Sequence, residues 1–133
     1  MGGYCMKQVF GMSQNGNLRE AANALTNPQF IMLLSNQTQF EQHVRELEQL
    51  FPGVPSIGCI GMSYDTKVVE NGVGLIGFSD GVQATANVLE QVSTMPVKYI
   101  NRLKDDLKKT DANAQSTVCI GFCAGNDACV LTT

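Results

Sequence analysis

Cysteine is the residue type in this chain that could support the widest range of chemistry, and histidine is almost absent. The cysteines are Cys5, Cys59, Cys119, Cys123 and Cys129, and His43 is the single histidine. Cys59 and Cys123 could act as nucleophiles, which requires a thiolate beside a base or a positive charge. Neither has a basic residue close in sequence. We therefore favour inert buried thiols and keep a small cysteine-dependent hydrolase or transferase as an alternative.

The cysteines and His43 give little indication of a metal site, a haem site or a disulfide. An odd number of cysteines, mostly inside apolar runs, predicts reduced thiols and a cytoplasmic location. No Cys-x-x-Cys pair is present and there is one histidine, so we expect no structural zinc site. His43 could ligate haem iron in principle. A boundary histidine that covers the core is the simpler interpretation, and we expect no cofactor.

A ligand site is predicted where buried strands end. Ligands of open α/β sheets bind outside the carboxyl ends of the strands, where glycines let them approach the backbone. Helix starts at Asn36 and near Asn126 would also present N–H groups to a carboxylate or phosphate. The alternative is that the glycines permit tight packing and the asparagines are plain helix caps. The candidate ligand-binding residues are Asn36, Cys59, Gly61, Met62, Cys123 and Asn126.

The strand, helix and strand predicted between residues 30 and 62 must position these side chains. Residues 30–34 are an apolar run typical of a strand buried on both faces, and residues 55–62 form a second one. Asn36 can cap the intervening helix, with Gln39 completing a capping box, and Pro52 and Gly53 end it. Its apolar stripe is predicted to be Phe40, Val44, Leu47 and Phe51. The two strands should pair in parallel through a right-handed crossover.

The remaining sequence adds strands and two further helices to this unit. Strands are predicted at residues 4–12, 73–78, 82–88 and 117–122, with a loop at 63–67 and a short strand at 68–69. Helices are predicted at 18–25, 37–51 and 97–109. The strand at 82–88 should pair antiparallel with 73–78 across the turn at residues 79–81. The predicted fold is one α/β domain, residues 1–133, whose mixed sheet has a parallel βαβ core and an antiparallel strand pair, with helices packed on it.

Charge and hydropathy exclude several classes of partner. The net charge is -3, which gives no electrostatic footprint for nucleic acid. No apolar run approaches the roughly 20 residues that span a bilayer, so we expect no membrane insertion. Only 16% of residues are charged. Such a weakly charged surface suggests that part of it is covered by another chain or by missing sequence. The acidic residues form no pair suited to general acid–base catalysis.

Three stretches together resemble the N-terminal part of a FIST domain. They are Pro28 to Ser35 followed by a helix and Phe51 to Cys59, the predicted strand pair from Gly72 to Leu89, and Val118 to Phe122. FIST domains are sensory input modules of prokaryotic signal transduction. The resemblance implies a small-molecule ligand such as an amino acid, and a signalling output domain or protein as partner. Some members are reported to bind haem.

The chain departs from the family pattern at two points. The family usually carries an acidic residue in a longer turn after Ile-Gly-Cys, whereas Ile60-Gly61-Met62 follows here. The family's second, C-terminal half has no counterpart, so we expect an incomplete domain and a homo-oligomer. The leading hypothesis is a non-catalytic ligand-sensing input module. The alternatives are the cysteine-dependent enzyme and a self-associating structural fragment of a larger sensor.

Overall fold

The computed structural model describes residues 6–61, 63–64, 67–90 and 99–123. The chain divides into two compact units, Met1–Ala84 and Thr85–Thr133. The elements of the first unit are β1 (Lys7–Ser13), α1 (Leu18–Ala22), β2 (Phe30–Ser35), α2 (Phe40–Leu50), β3 (Ser56–Ile60), β4 (Ser63–Tyr64), β5 (Lys67–Val68) and β6 (Val73–Ser79). The second unit contains α3 (Ile100–Lys109).

A four-stranded mixed sheet of order β1-β6-β2-β3 organises the first unit. β2 and β3 pair in parallel, with Met32 opposite Ile57 and Leu33 opposite Gly58. This confirms the predicted βαβ unit. β6 lies between β1 and β2 and is antiparallel to both. The α/β class and the mixed sheet are therefore confirmed, although the antiparallel partners of β6 are strands distant in sequence.

One face of the sheet packs against α1 and α2 and forms the core. Ile31, Leu33, Val73 and Leu75 are at most 1% exposed. Alternation along β2 and β6 directs all four side chains to this face. The backbone of α1 approaches β1 very closely at Gly11, where an added Cβ would lie 1.9 Å from the Ala21 carbonyl oxygen. Only glycine fits that contact without moving the helix.

The helix α2 is rotated relative to the predicted stripe. Its buried residues are His43 and Leu47, whereas Val44 is 42% exposed. The prediction that His43 lies at the boundary was therefore wrong, since it is 1% exposed. The physical reason is that both ring nitrogens of His43 find hydrogen-bond partners inside the protein, which offsets the cost of burying them.

The opposite face of the sheet, here called the outer face, is apolar but less deeply buried. Phe30 and Phe78 stand side by side on it, with ring centroids 5.8 Å apart. Phe10 on β1 is 41% exposed. The registers place on this face Phe10, Met12, Phe30, Met32, Leu34, Ile57, Cys59, Ile76 and Phe78. Ile57 on β3 is half-buried, so the prediction that the second apolar run is a strand buried on both faces was wrong.

Two predicted strands do not form within the described part of the chain. Residues 82–90 and 117–123 are described and have no strand structure. Val118 is 83% exposed, and Ile120 and Phe122 are more than 40% exposed. Apolar alternation makes a segment suitable for a sheet, but a strand also needs a hydrogen-bonded neighbour. The predicted loop at 63–67 instead contributes to a small antiparallel pair, β4 with β5.

The helix α3 of the second unit is amphipathic and solvent exposed. It begins at Ile100, within the predicted range, and residues 97 and 98 lie outside the described part. Ile100, Leu103 and Leu107 recur at helical spacing and are 40–51% exposed. No described helix combines the length and the apolar character that a membrane span requires.

Candidate functional site

A buried serine–histidine pair lies where β2 ends. Ser35 is the last residue of β2, and its Oγ atom lies 2.7 Å from Nδ1 of His43 on α2. Nε2 of His43 lies 2.9 Å from the carbonyl oxygen of Gly16, in the loop between β1 and α1. His43 therefore links a strand, a helix and a loop that are distant in sequence.

The Gly16 carbonyl fixes the tautomer of the neutral imidazole. A carbonyl oxygen can only accept, so Nε2 of His43 carries the hydrogen and Nδ1 accepts from the Ser35 hydroxyl. The same hydroxyl lies 2.9 Å from the Asn36 carbonyl oxygen. Both ring nitrogens of His43 and the Ser35 hydroxyl thus have hydrogen-bond partners.

Asn36 and Gln39 form a second, partly buried hydrogen-bond network beside this pair. The Asn36 Oδ1 atom accepts from the Gln39 backbone N–H at 2.9 Å, and its Nδ2 donates to Gln39 Oε1 at 3.0 Å. Nδ2 also donates to the Gly72 carbonyl at 3.2 Å. Asn36 is 3% exposed and caps the turn that leads into α2. The predicted capping box is only half formed. Asn36 accepts from the Gln39 N–H, but its own backbone N–H donates to the Gly72 carbonyl, and α2 begins only at Phe40.

These buried side chains are suited to holding the fold together rather than to covalent chemistry. A nucleophilic serine needs a base and also a path for substrate. Ser35 has the base, but it is 0% exposed and His43 is 1% exposed. Among the described residues, every buried side-chain nitrogen and oxygen has a hydrogen-bond partner. The pair therefore rigidifies the carboxyl end of β2.

Cys59 and Gly61 lie at the neighbouring end of β3 and are more accessible. Cys59 is half-buried on the outer face, and burial raises the pKa of its thiol. Gly61 donates its backbone N–H to the Ser35 carbonyl at 2.9 Å. A Cβ added at Gly61 would lie 3.7 Å from the Leu34 side chain, so space remains above its backbone. This end of β3 combines a neutral thiol, an apolar side chain and an approachable backbone.

The other candidate residues lie in the second unit or outside the described part of the chain. Cys123 is exposed and belongs to the second unit. Met62 and Asn126 lie outside the described residues. Their assignment to a ligand site stays a prediction, as does that of Asn36, Cys59, Gly61 and Cys123.

A groove at the opposite end of the parallel strand pair escaped the sequence analysis. Its volume is about 550 Å³, and it is a shallow groove open to solvent. It is formed by the loops before β2 and β3 and is lined by Leu25, Thr26, Asn27, Pro28, Leu50, Phe51, Pro52 and Val54. No charged residue lines it, so the sequence carries no signal for it. The groove exists because the tertiary structure brings the two loops together.

The described part of the chain holds free thiols and no cluster suited to a metal ion. No cluster of three or more potential metal-ligating side chains occurs among the described residues. Cys59, Cys119 and Cys123 are free thiols. Cys5 and Cys129 lie outside the described residues.

Comparisons of the chain with protein-family models, curated proteins and solved structures find no match. The resemblance to FIST domains stays a prediction from the sequence.

Proposed function

We propose that this protein is a non-catalytic input module that binds a small ligand such as an amino acid and passes the signal to an output domain or protein. The family resemblance suggests the class. The accessible end of β3, where Cys59 and Gly61 adjoin Leu34, is the observation that supports a binding surface.

The ligand would use backbone and apolar contacts at this surface. The Cys59 thiol is kept neutral because burial raises its pKa, so it offers a soft, weakly polar contact. Gln37 and Thr38 are exposed in the turn before α2, where backbone N–H groups precede the first helical hydrogen bonds. A ligand carboxylate would be stabilised by such groups, and an apolar side chain by Leu34.

The raised pKa also favours this function over a cysteine-dependent enzyme. A nucleophilic cysteine requires a lowered pKa, which a nearby base or cation provides. No such group contacts Cys59 among the described residues, and burial has the opposite effect. The enzyme alternative would therefore have to rely on Cys123 or on residues outside the described part.

Nuclear magnetic resonance titration of the labelled full chain with a panel of amino acids tests the proposal. We expect at least one ligand to shift the amide signals of Cys59 and Gly61 in a saturable way. Gly61→Val should weaken binding at least tenfold by filling the space beside Leu34. Gly121→Val is the matched control, since the nearest atom to its added Cβ is 4.0 Å away. Its binding should be unchanged.

Two results would contradict the proposal. Shifts confined to Leu50 and Phe51 would move the site to the groove at the other end of the strands. A panel that produces no saturable shift, from protein in which mass spectrometry detects no co-purifying small molecule, would refute the ligand-binding function.

A further inference from the structure

The strand β3 forms one edge of the four-stranded sheet. Its parallel pairing with β2 fixes which of its backbone groups point inward. Ile31 donates its N–H to the Pro55 carbonyl at 3.1 Å, and Gly61 donates to the Ser35 carbonyl at 2.9 Å. In a parallel ladder the residues that bond to the neighbour alternate with residues that face away. The N–H and C=O groups of Ser56, Gly58 and Ile60 therefore point away from β2.

These outward groups have no strand beside them in the described structure. No described residue forms a hydrogen bond with the outward backbone groups of Ser56, Gly58 or Ile60. Ser56 is exposed, and the Ile60 side chain is 53% exposed. The edge thus presents a row of unpaired donors and acceptors at strand spacing, together with an exposed apolar side chain.

The two edges of the sheet differ in their protection. The other edge strand, β1, begins with Lys7, which forms an ion pair of 3.1 Å with Asp80. Proteins commonly use lysine, proline or bulges to prevent edge strands from pairing with other chains. β3 contains no charged residue and no proline between Ser56 and Ile60. Its sequence therefore lacks the features that block strand addition.

We propose that β3 pairs antiparallel with β3 of a second copy, about a two-fold axis at Gly58. In this register Gly58 faces Gly58, and Ser56 of one copy faces Ile60 of the other. Each of these facing pairs would exchange two hydrogen bonds, because both residues direct their N–H and C=O groups across the interface. The two sheets would become one continuous sheet.

The second copy is the occupant that fits these observations because the pairing is reciprocal. The outward residues are spaced symmetrically around Gly58, so every unpaired donor of one edge meets an acceptor of the other. On the outer face, Ile57 of one copy would lie beside Cys59 of the other. The apolar outer face would then continue across the interface without introducing an unpaired charge.

The size of the edge determines the strength of association that we expect. Stable interfaces bury roughly 1,600 Å² in total, much more than two five-residue strand edges provide. The structure therefore points to a reversible, concentration-dependent dimer rather than an obligate one. This inference is independent of the proposed ligand.

Sedimentation equilibrium of the full chain across a dilution series tests the inference. The average mass should rise with concentration from 14.4 kDa towards twice that value. Ile60→Lys, which adds a charge to the exposed edge, should keep the mass at that of the monomer. Val44→Lys is the matched control because Val44 is 42% exposed on α2. Its dimerisation should be unchanged.

Amide hydrogen exchange then locates the interface. In the monomer the amides of Ser56, Gly58 and Ile60 should exchange quickly, and those of Ile57 and Cys59 slowly. In concentrated solution all five should be protected. A constant monomer mass, a dimer that survives Ile60→Lys, or a dimer in which the outward amides still exchange quickly would each overturn the inference.

Discussion

The Oγ atom of Ser35 lies 2.7 Å from Nδ1 of His43, which joins the last residue of β2 to the inner side of α2. The bond is short and both residues are buried. The Ser35–His43 bond lies where the helical spacing of the apolar residues predicts a core contact of Val44. The Ser35–His43 bond therefore adds to the packing of Leu47, Phe40 and Leu50 in positioning α2 on the sheet.

Ser35→Ala should destabilise the first unit by about 1–3 kcal/mol, because it leaves Nδ1 of His43 buried without a partner. Urea denaturation followed by circular dichroism measures the change. Ser56→Ala, at an exposed serine, is the control and should change the free energy of unfolding by no more than about 0.5 kcal/mol. Equal effects of the two substitutions would show that the Ser35–His43 bond has no special role.

The neutral imidazole of His43 should carry its hydrogen on Nε2, because the Gly16 carbonyl 2.9 Å away can only accept. Long-range nitrogen–proton correlation spectra distinguish the two tautomers directly. We expect the Nε2–H pattern in the wild-type protein and also in Ser35→Ala, where the Gly16 bond remains. An Nδ1–H tautomer in the wild-type protein would refute the hydrogen-bond assignment.

Gly11→Ala should prevent normal folding or cost at least about 3 kcal/mol, since the added Cβ would overlap the Ala21 carbonyl. Gly61→Ala is the matched comparison. Its Cβ would lie 3.7 Å from Leu34, an ordinary contact, and the stability change should be much smaller. Thermal unfolding of the two variants provides the measurement. A Gly11→Ala protein as stable as Gly61→Ala would mean that α1 does not pack against β1 this closely.

Leu33→Ala should cost about 2–5 kcal/mol, because Leu33 is 1% exposed and its removal leaves a cavity under the helices. Ile57→Ala should cost less, since Ile57 lies half-buried on the outer face. Chemical denaturation of both variants compares the two faces of the sheet. The reverse order would indicate that the outer face is the main core.

Cys59 should react slowly with iodoacetamide at neutral pH, because burial raises the pKa of its thiol above the ordinary value of 9.0. Its alkylation rate should still increase at pH values where an ordinary thiol is fully ionised. The folded state then holds this proton more tightly than the unfolded chain. The contribution of Cys59 to stability should therefore be constant below pH 9.0 and become unfavourable as the pH rises above it.

Peptide mass spectrometry separates the reaction of Cys59 from those of the exposed Cys119 and Cys123. Rapid modification of Cys59 near pH 7, faster than at the two exposed thiols, would contradict the raised pKa and revive the cysteine-dependent enzyme.

Local sequence determined the βαβ unit and its ends. The apolar runs of β2 and β3 and the hydrogen bond from the Gln39 N–H to Asn36 follow from periodicity and turn chemistry. So does the chain reversal at Gly53, whose φ is +76°. Such signals depend on neighbouring residues and can be identified without knowing the rest of the fold.

Only the tertiary structure decided which strands pair and which polar residues are buried. β6 pairs with β1 and β2 rather than with residues 82–88, because strand pairing is chosen by long-range contacts that no local pattern records. His43 enters the core because Gly16 and Ser35, 27 and 8 residues away, meet its two nitrogens. The groove beside Phe51 and the unpaired edge of β3 likewise exist only once distant loops and strands are assembled.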